Sequence, residues 1–215
     1  MSVEDDRKAT ETVLSILQDK SLSSLDFKFN KRAIQPSMYQ KVAKAITEGK
    51  ITVINQPNLL KQGSLGRYLP VITIDNNNEW YDVLVLRHAD LGTSANDQFV
   101  RAASIIHECT HAGFDLLKLT KMTHLEHEAG SNIAATIFVV ANLKSSKLLE
   151  KANVSADPIG KAAWDIALLE VDNKSVPKEL YNALNVAISK DPNYKDNYKD
   201  AVNNDGVGRK WKIKP

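Results

Sequence analysis

Residues 94–117 read Ser94-Ala-Asn-Asp-Gln-Phe-Val-Arg-Ala-Ala-Ser-Ile-Ile-His-Glu-Cys-Thr-His-Ala-Gly-Phe-Asp-Leu-Leu117. Phe99, Ala102, Ala103, Ile106, Thr110, Gly113 and Leu117 fall three or four apart, which is the period of one helix face. Ser94 is a suitable N-cap, and Asp97 sits in the first turn where a negative charge is favourable. The segment is therefore a helix. Its centre carries His107-Glu-Cys-Thr-His111, an H-E-x-x-H pattern. Successive helical residues turn by about 100°, so side chains four apart emerge on one face and both imidazoles can grip a single ion. Glu108 is rotated from His107 by that same angle, which sets its carboxylate beside an ion rather than on it.

Such an arrangement suits zinc hydrolysis. The ion lowers the pKa of its water from about 15.7 to about 7 and polarises a carbonyl, and a neighbouring carboxylate takes the proton and returns it to the leaving group. A catalytic zinc has three protein ligands and one open position, so a third must come from elsewhere. His124-Leu-Glu-His-Glu128 offers four candidates. Thr123 and Glu126 have capping-box spacing, which would fold the Glu126 carboxylate back onto the start of its own helix. Glu128 lies further in, one turn before the small residues Ser131 and Asn132, and is the strongest of the four. His124 and His127 suit a first turn or a supporting hydrogen bond as well as a ligand role.

Smaller readings attach to other residues. Asp115, one turn past His111, either supports a ligand imidazole or is a solvated helix-end carboxylate. Cys109 points off the ligand face and reads as apolar packing. An acyl-transfer site also needs a donor for the developing oxyanion, and Arg87, His88, Tyr194 and Tyr198 are available.

Outward from the motif, the chain changes period several times. Residues 5–20 and the segment from Pro36 to Gly49 have helical spacing, with Pro36 in a first turn and Gly49 as the stop. Ile51-Thr-Val-Ile54 reads as a strand, residues 56–68 as a loop containing Pro57, Gly63 and Gly66, and 69–75 and 80–86 as two arms of a hairpin across 76–79. A helix opens at Thr123 and runs to about Asn142; others start near Asp157-Pro158 and Ser175-Val-Pro177, the latter ending near Lys190, and a short one near Asp191-Pro192. The expected architecture is α+β and a single domain over residues 1–215. N-terminal helices occupy 1–49, a small, mainly antiparallel sheet 50–88, active-site helices 94–143, and C-terminal helices 144–200.

Composition narrows the function classes. With 28 basic and 26 acidic residues the net charge is +2, too small a field to draw the chain to nucleic acid or a membrane. A single cysteine excludes an intramolecular disulfide. No stretch approaches the roughly 20 apolar residues of a membrane span, and the N-terminus lacks a signal-peptide apolar core. The expected location is the cytoplasm, or outside the cell by a route needing no N-terminal signal.

Ile105-Ile-His-Glu-Cys-Thr-His-Ala112 followed by Glu128-Ala-Gly-Ser-Asn-Ile-Ala134 resembles the gluzincin branch of the zincin metallopeptidases. It is similar in particular to compact bacterial peptidase-like domains of the toxin or effector kind, with H-E-x-T-H-A and a later E-x-x-A-Y-x-A helix. The likeness covers about residues 100–140, and Ser131 and Asn132 stand where Ala and Tyr are usual. It implies a zincin-like fold, one Zn2+ held by His107, His111 and Glu128, Glu108 as general base, and a peptide or protein substrate. It also gives the strand over residues 80–87 the task of pairing, as an edge strand, with extended substrate. The contrasting reading is a binding module in which a fourth protein ligand, His124 or His127, closes the metal site.

Overall fold

A computed structural model of the chain describes residues 3–74, 78–119, 121–152, 157–192 and 202. The chain divides into two compact units, one from the described residues of Met1–Asp19 and Ser37–Leu119, the other from those of Lys20–Pro36 and Thr120–Asn203. The class is α+β, with six α-helices among the described residues.

In the first unit, α1 (Val3–Ile16) buries Ala9, Val13 and Ile16 and packs on strand β3 (Thr52–Asn55). Helix α2 (Pro36–Thr47) presents Met38, Val42, Ala45 and Ile46 inward and stops before Gly49, whose φ of +68° suits glycine. The sheet has the order β3-β5-β4, with β4 spanning Gly66–Ile74 and β5 spanning Asn78–Leu86. β4 and β5 pair antiparallel, as the hairpin reading requires. β3 runs parallel to β5, with Thr52 opposite Val83, so the sheet is mixed rather than mainly antiparallel. Short apolar strands do not encode the direction of their neighbour; the crossover does, and here the 22 residues between Asn55 and Asn78 include a whole extra strand.

Three sequence expectations need correction in this sheet. The loop read over 56–68 contains a 3-10 turn at Pro57–Leu59 and gives way to strand at Gly66. Strand β5 is central, paired by β4 along its length and by β3 at Val83–Leu86, so the 80–87 segment is not the expected edge strand; the edges are β3 and β4. The expected four-residue connection is also shorter, because Asn78 and Glu79 already pair with Ile74 and Thr73.

Helix α3 (Ala95–Leu116) begins as expected. Ser94 Oγ accepts from the Asp97 amide at 3.0 Å. From Ile105 onward it is buried over most of its circumference, taking Glu108, Thr110 and Asp115 inside with the apolar residues. Thr110 shows how the polar ones are accommodated. Its hydroxyl donates to the Ile106 carbonyl at 2.7 Å and lies 2.8 Å from the Tyr39 hydroxyl of α2. One turn on, Gly113 faces Met38: a Cβ there would stand 2.6 Å from Met38 Cγ and 2.7 Å from its sulfur. Gly113→Ala is accordingly expected to lower stability by about 1–3 kcal/mol through overpacking. Urea denaturation of the two proteins checks this; an unchanged midpoint would show that Met38 moves aside freely.

The second unit opens with a 3-10 turn at Lys20–Ser24 and a hairpin of β1 (Phe27–Phe29) and β2 (Arg32–Ile34). This hairpin lies inside the segment read as N-terminal helices. Its turn residues Asn30 and Lys31 have φ of 47° and 65°, the left-handed pair that a two-residue connection needs. Helix α4 (His124–Ser145) buries Ile133, Ile137, Phe138 and Val140, and α5 (Pro158–Val171) and α6 (Lys178–Lys190) pack with it. Asp157 caps α5 by accepting from the Gly160 amide at 2.7 Å. No helix among the described residues is long and apolar enough to cross a membrane. The short helix expected near Asp191-Pro192 falls largely outside the described residues.

Candidate metal centre

The two motif histidines lie one turn apart on α3, as an unbroken helix demands. Their Nε2 atoms are 3.1 Å apart and their rings meet edge to face, with centroids 4.8 Å apart. Two nitrogens at about 2.0–2.1 Å from a tetrahedral zinc would be separated by about 3.3 Å, so the pair already has the spacing that chelation needs. Without an ion, one proton shared between the two nitrogens satisfies the same distance, in a tautomer with Nε2 protonated on one ring. Two imidazole nitrogens are donors that zinc accepts. The side chains of His107, His111 and Glu128 are each half-buried.

The other candidates on α4 are placed differently. Glu126 completes the capping box: its Oε2 accepts from the Thr123 amide at 2.9 Å while the Thr123 hydroxyl accepts from the Glu126 amide at 3.2 Å. Its Oε1 accepts from Asn30 Nδ2 at 3.2 Å, so both carboxylate oxygens are engaged within its own unit. His124 is half-buried in the first turn, whereas His127 is only 4% exposed. Ser131 is fully buried, and Asn132 Nδ2 donates to the Glu128 carbonyl at 2.8 Å. Of the two departures from the E-x-x-A-Y-x-A pattern, Asn132 thus has a local hydrogen bond, whereas the Ser131 hydroxyl is buried without one among the described residues.

Glu108 is 9% exposed, and its Oε2 accepts from the Tyr68 amide of β4 at 2.7 Å. A hydrogen bond to the ionised form favours that form and opposes the effect of burial. Gly66 makes room for the same side chain. A Cβ at Gly66 would lie 3.2 Å from Glu108 Cγ and 3.2 Å from Ser104 Oγ.

Asp115 is 1% exposed, so it is not a solvated helix-end residue. Its Oδ2 lies 2.9 Å from the Tyr68 hydroxyl, which is also 3.0 Å from Asp82 Oδ1. Cys109 is fully buried; burial first, and the Glu108 charge next, push its thiol well above the usual range, consistent with packing rather than nucleophilic chemistry. Arg87 donates to the Ser64 and Lys61 carbonyls at 2.5 and 2.8 Å, so its guanidinium braces a loop. The half-buried His88 imidazole is held below its ordinary pKa by desolvation and then by the Arg101 and Arg87 charges. Tyr194 and Tyr198 lie outside the described residues.

Tyr68, Asp82 and Gly66 escaped the sequence reading. The available signal was Asp82, a carboxylate interrupting the apolar run of residues 80–86. No protein-family model matches the sequence, and no curated protein or solved structure is significantly similar to it.

Proposed function

We propose that the chain is a zinc-dependent hydrolase acting on peptide bonds, with His107, His111 and Glu128 as the metal ligands and Glu108 as the general base. The observation that carries this reading is the pair of imidazole nitrogens 3.1 Å apart on adjacent turns of α3, with Glu108 on the same helix. Three protein donors match catalytic rather than structural zinc, because they leave a position for solvent or substrate. When bound, the ion supplies a Lewis acid that polarises a carbonyl and makes water a competent nucleophile near neutral pH.

The remaining work falls to the chain itself. Glu108 receives a proton at its carboxylate and returns it to the departing amine. Its own engagement with the Tyr68 amide keeps that side chain extended toward β4, in an orientation fixed before substrate arrives. Half-burial of the three ligands favours zinc over a freely hydrated cation, since protein donors take the place of part of its water shell. Peptide as the substrate class rests on the resemblance of His107–Ala112 and Glu128–Ala134 to gluzincins.

The test is cleavage of a mixed pool of unstructured peptides by zinc-loaded protein, followed by mass spectrometry. Cleavage that a zinc chelator abolishes and added zinc restores is the expected outcome. Cleavage indifferent to chelation would remove the metal from the reaction.

A further inference from the structure

We propose that Tyr68 is the positioning residue for Glu108, joining strand β4 to helix α3 through its main chain at one point and its side chain at another. This rests on the reading of Glu108 as the base. Three features of the first unit carry it.

The first is the direction of the Tyr68 amide. The Arg87 amide bonds the Leu65 carbonyl at 2.9 Å, so residues 65 and 87 form a hydrogen-bonded pair and the alternating pattern turns Tyr68 away from β5. β4 is an edge strand, and an outward amide there would ordinarily meet water. Instead it donates to Glu108 Oε2 at 2.7 Å. Gly66, two residues earlier on the same strand edge, lets the backbone come this close to Glu108 Cγ.

The second is the anchorage of the phenol. Its oxygen lies between Asp82 on β5 and Asp115 on α3, both almost fully buried, and its single hydrogen serves one carboxylate at a time. Desolvation, then the Asp115 and Asp82 charges, push the Tyr68 phenol well above its ordinary range, so it remains a donor throughout the physiological pH range. Glu108 and Asp115 are seven residues apart, about two turns along one face of α3. Tyr68 thus engages the metal-binding helix at both ends of a two-turn span that contains His111.

The third is backbone strain at the anchor. Asp82 has φ of +56° inside a central strand, opposite Pro70 in the register. Aspartate tolerates that region better than most residues, yet it still costs energy and persists only where the surroundings over-determine it. Here the phenol of Tyr68 is part of that determination.

The experiment is hydrogen exchange of the residue-68 amide, followed by NMR in the full-length, metal-free chain and three variants. In the wild type this amide is expected to be protected and shifted downfield, as an N–H bonded to a carboxylate is. Glu108→Ala should accelerate its exchange about tenfold or more. Tyr68→Phe keeps the N–H and removes only the anchor. It should accelerate exchange at residue 68 by about the same factor while amides 67 and 69, which face β5, change less than threefold. Asp115→Asn retains an acceptor for the phenol and should stay near wild type. A phenol serving stability alone would instead speed all the β4 amides together, and that result overturns the proposal. So would a residue-68 amide that is unprotected in the wild type or unmoved by Glu108→Ala, a comparison that stands even if Tyr68→Phe does not fold. Zinc uptake by the wild type, measured separately, distinguishes the two ideas: its absence removes the role of Glu108 as base and leaves the exchange pattern intact.

Discussion

Glu108→Gln is expected to retain zinc with affinity within about threefold of the wild type and to lose turnover by about two orders of magnitude or more. Glutamine has the shape of glutamate, and its amide oxygen can still accept from the Tyr68 amide, so the side chain keeps its place against β4. What disappears is a basic oxygen. General-base catalysis contributes about 10²–10⁴ in rate, and no neighbouring carboxylate on α3 replaces it, because Asp115 is two turns away and engaged with Tyr68. Loss of the buried charge also removes a desolvation penalty, so the variant is expected to be as stable as the wild type or slightly more so. Turnover on a cleaved peptide, together with zinc titration calorimetry, checks all three statements. Full activity of the variant would show that another group handles the proton.

His111→Ala is expected to abolish zinc binding and any stabilisation that zinc confers. A ligand that binds only the folded chain stabilises it by about 2.7 kcal/mol at a hundredfold excess over its dissociation constant, and this increment should be present in the wild type and missing in the variant. The comparison must be made with and without metal. In metal-free protein the change removes a half-buried imidazole that meets the His107 ring, and the metal-free melt reports that loss by itself. Thermal melts at graded zinc concentrations separate the two contributions. Equal zinc-dependent shifts in both proteins would show that the ion binds elsewhere.

The elements that proved legible are those whose boundaries are written in local chemistry. Ser94 with Asp97, Thr123 with Glu126, and Asp157 before Pro158 each mark a helix start, and each makes the capping contact its residue type suggests. The His107–His111 pair was legible for the same reason, since one turn of helix fixes the relation between two side chains. The strand boundary at Gly66 was not, because glycine there reads as a loop signal. What favours glycine there is steric and distant: the Glu108 and Ser104 side chains lie 3.2 Å from where a Cβ would stand. The β1–β2 hairpin was missed because Lys31 occupies a position where glycine is the usual sign of a tight turn. The parallel pairing of β3 with β5 is a long-range outcome that a four-residue strand cannot announce.

Polar residues drawn into the core were the hardest to foresee. Asp115 follows the helical spacing of an exposed position as readily as a buried one, and only its partner decides between them. That partner, Tyr68, lies 47 residues earlier on a strand whose start was read as loop. A carboxylate that reads as surface becomes interior once a hydroxyl is brought to it, and single-sequence patterns carry no record of which hydroxyl that will be.

The claim on which everything functional depends is that the group of His107, His111 and Glu128 receives a metal ion and leaves it one open coordination position. Anomalous diffraction at the zinc absorption edge, from crystals grown with stoichiometric zinc, tests it most directly. The expected result is a single strong peak about 2.0–2.2 Å from one nitrogen of each histidine and an oxygen of Glu128, with solvent as the remaining ligand. A peak elsewhere, no peak, or a fourth protein side chain in that last position would contradict the account.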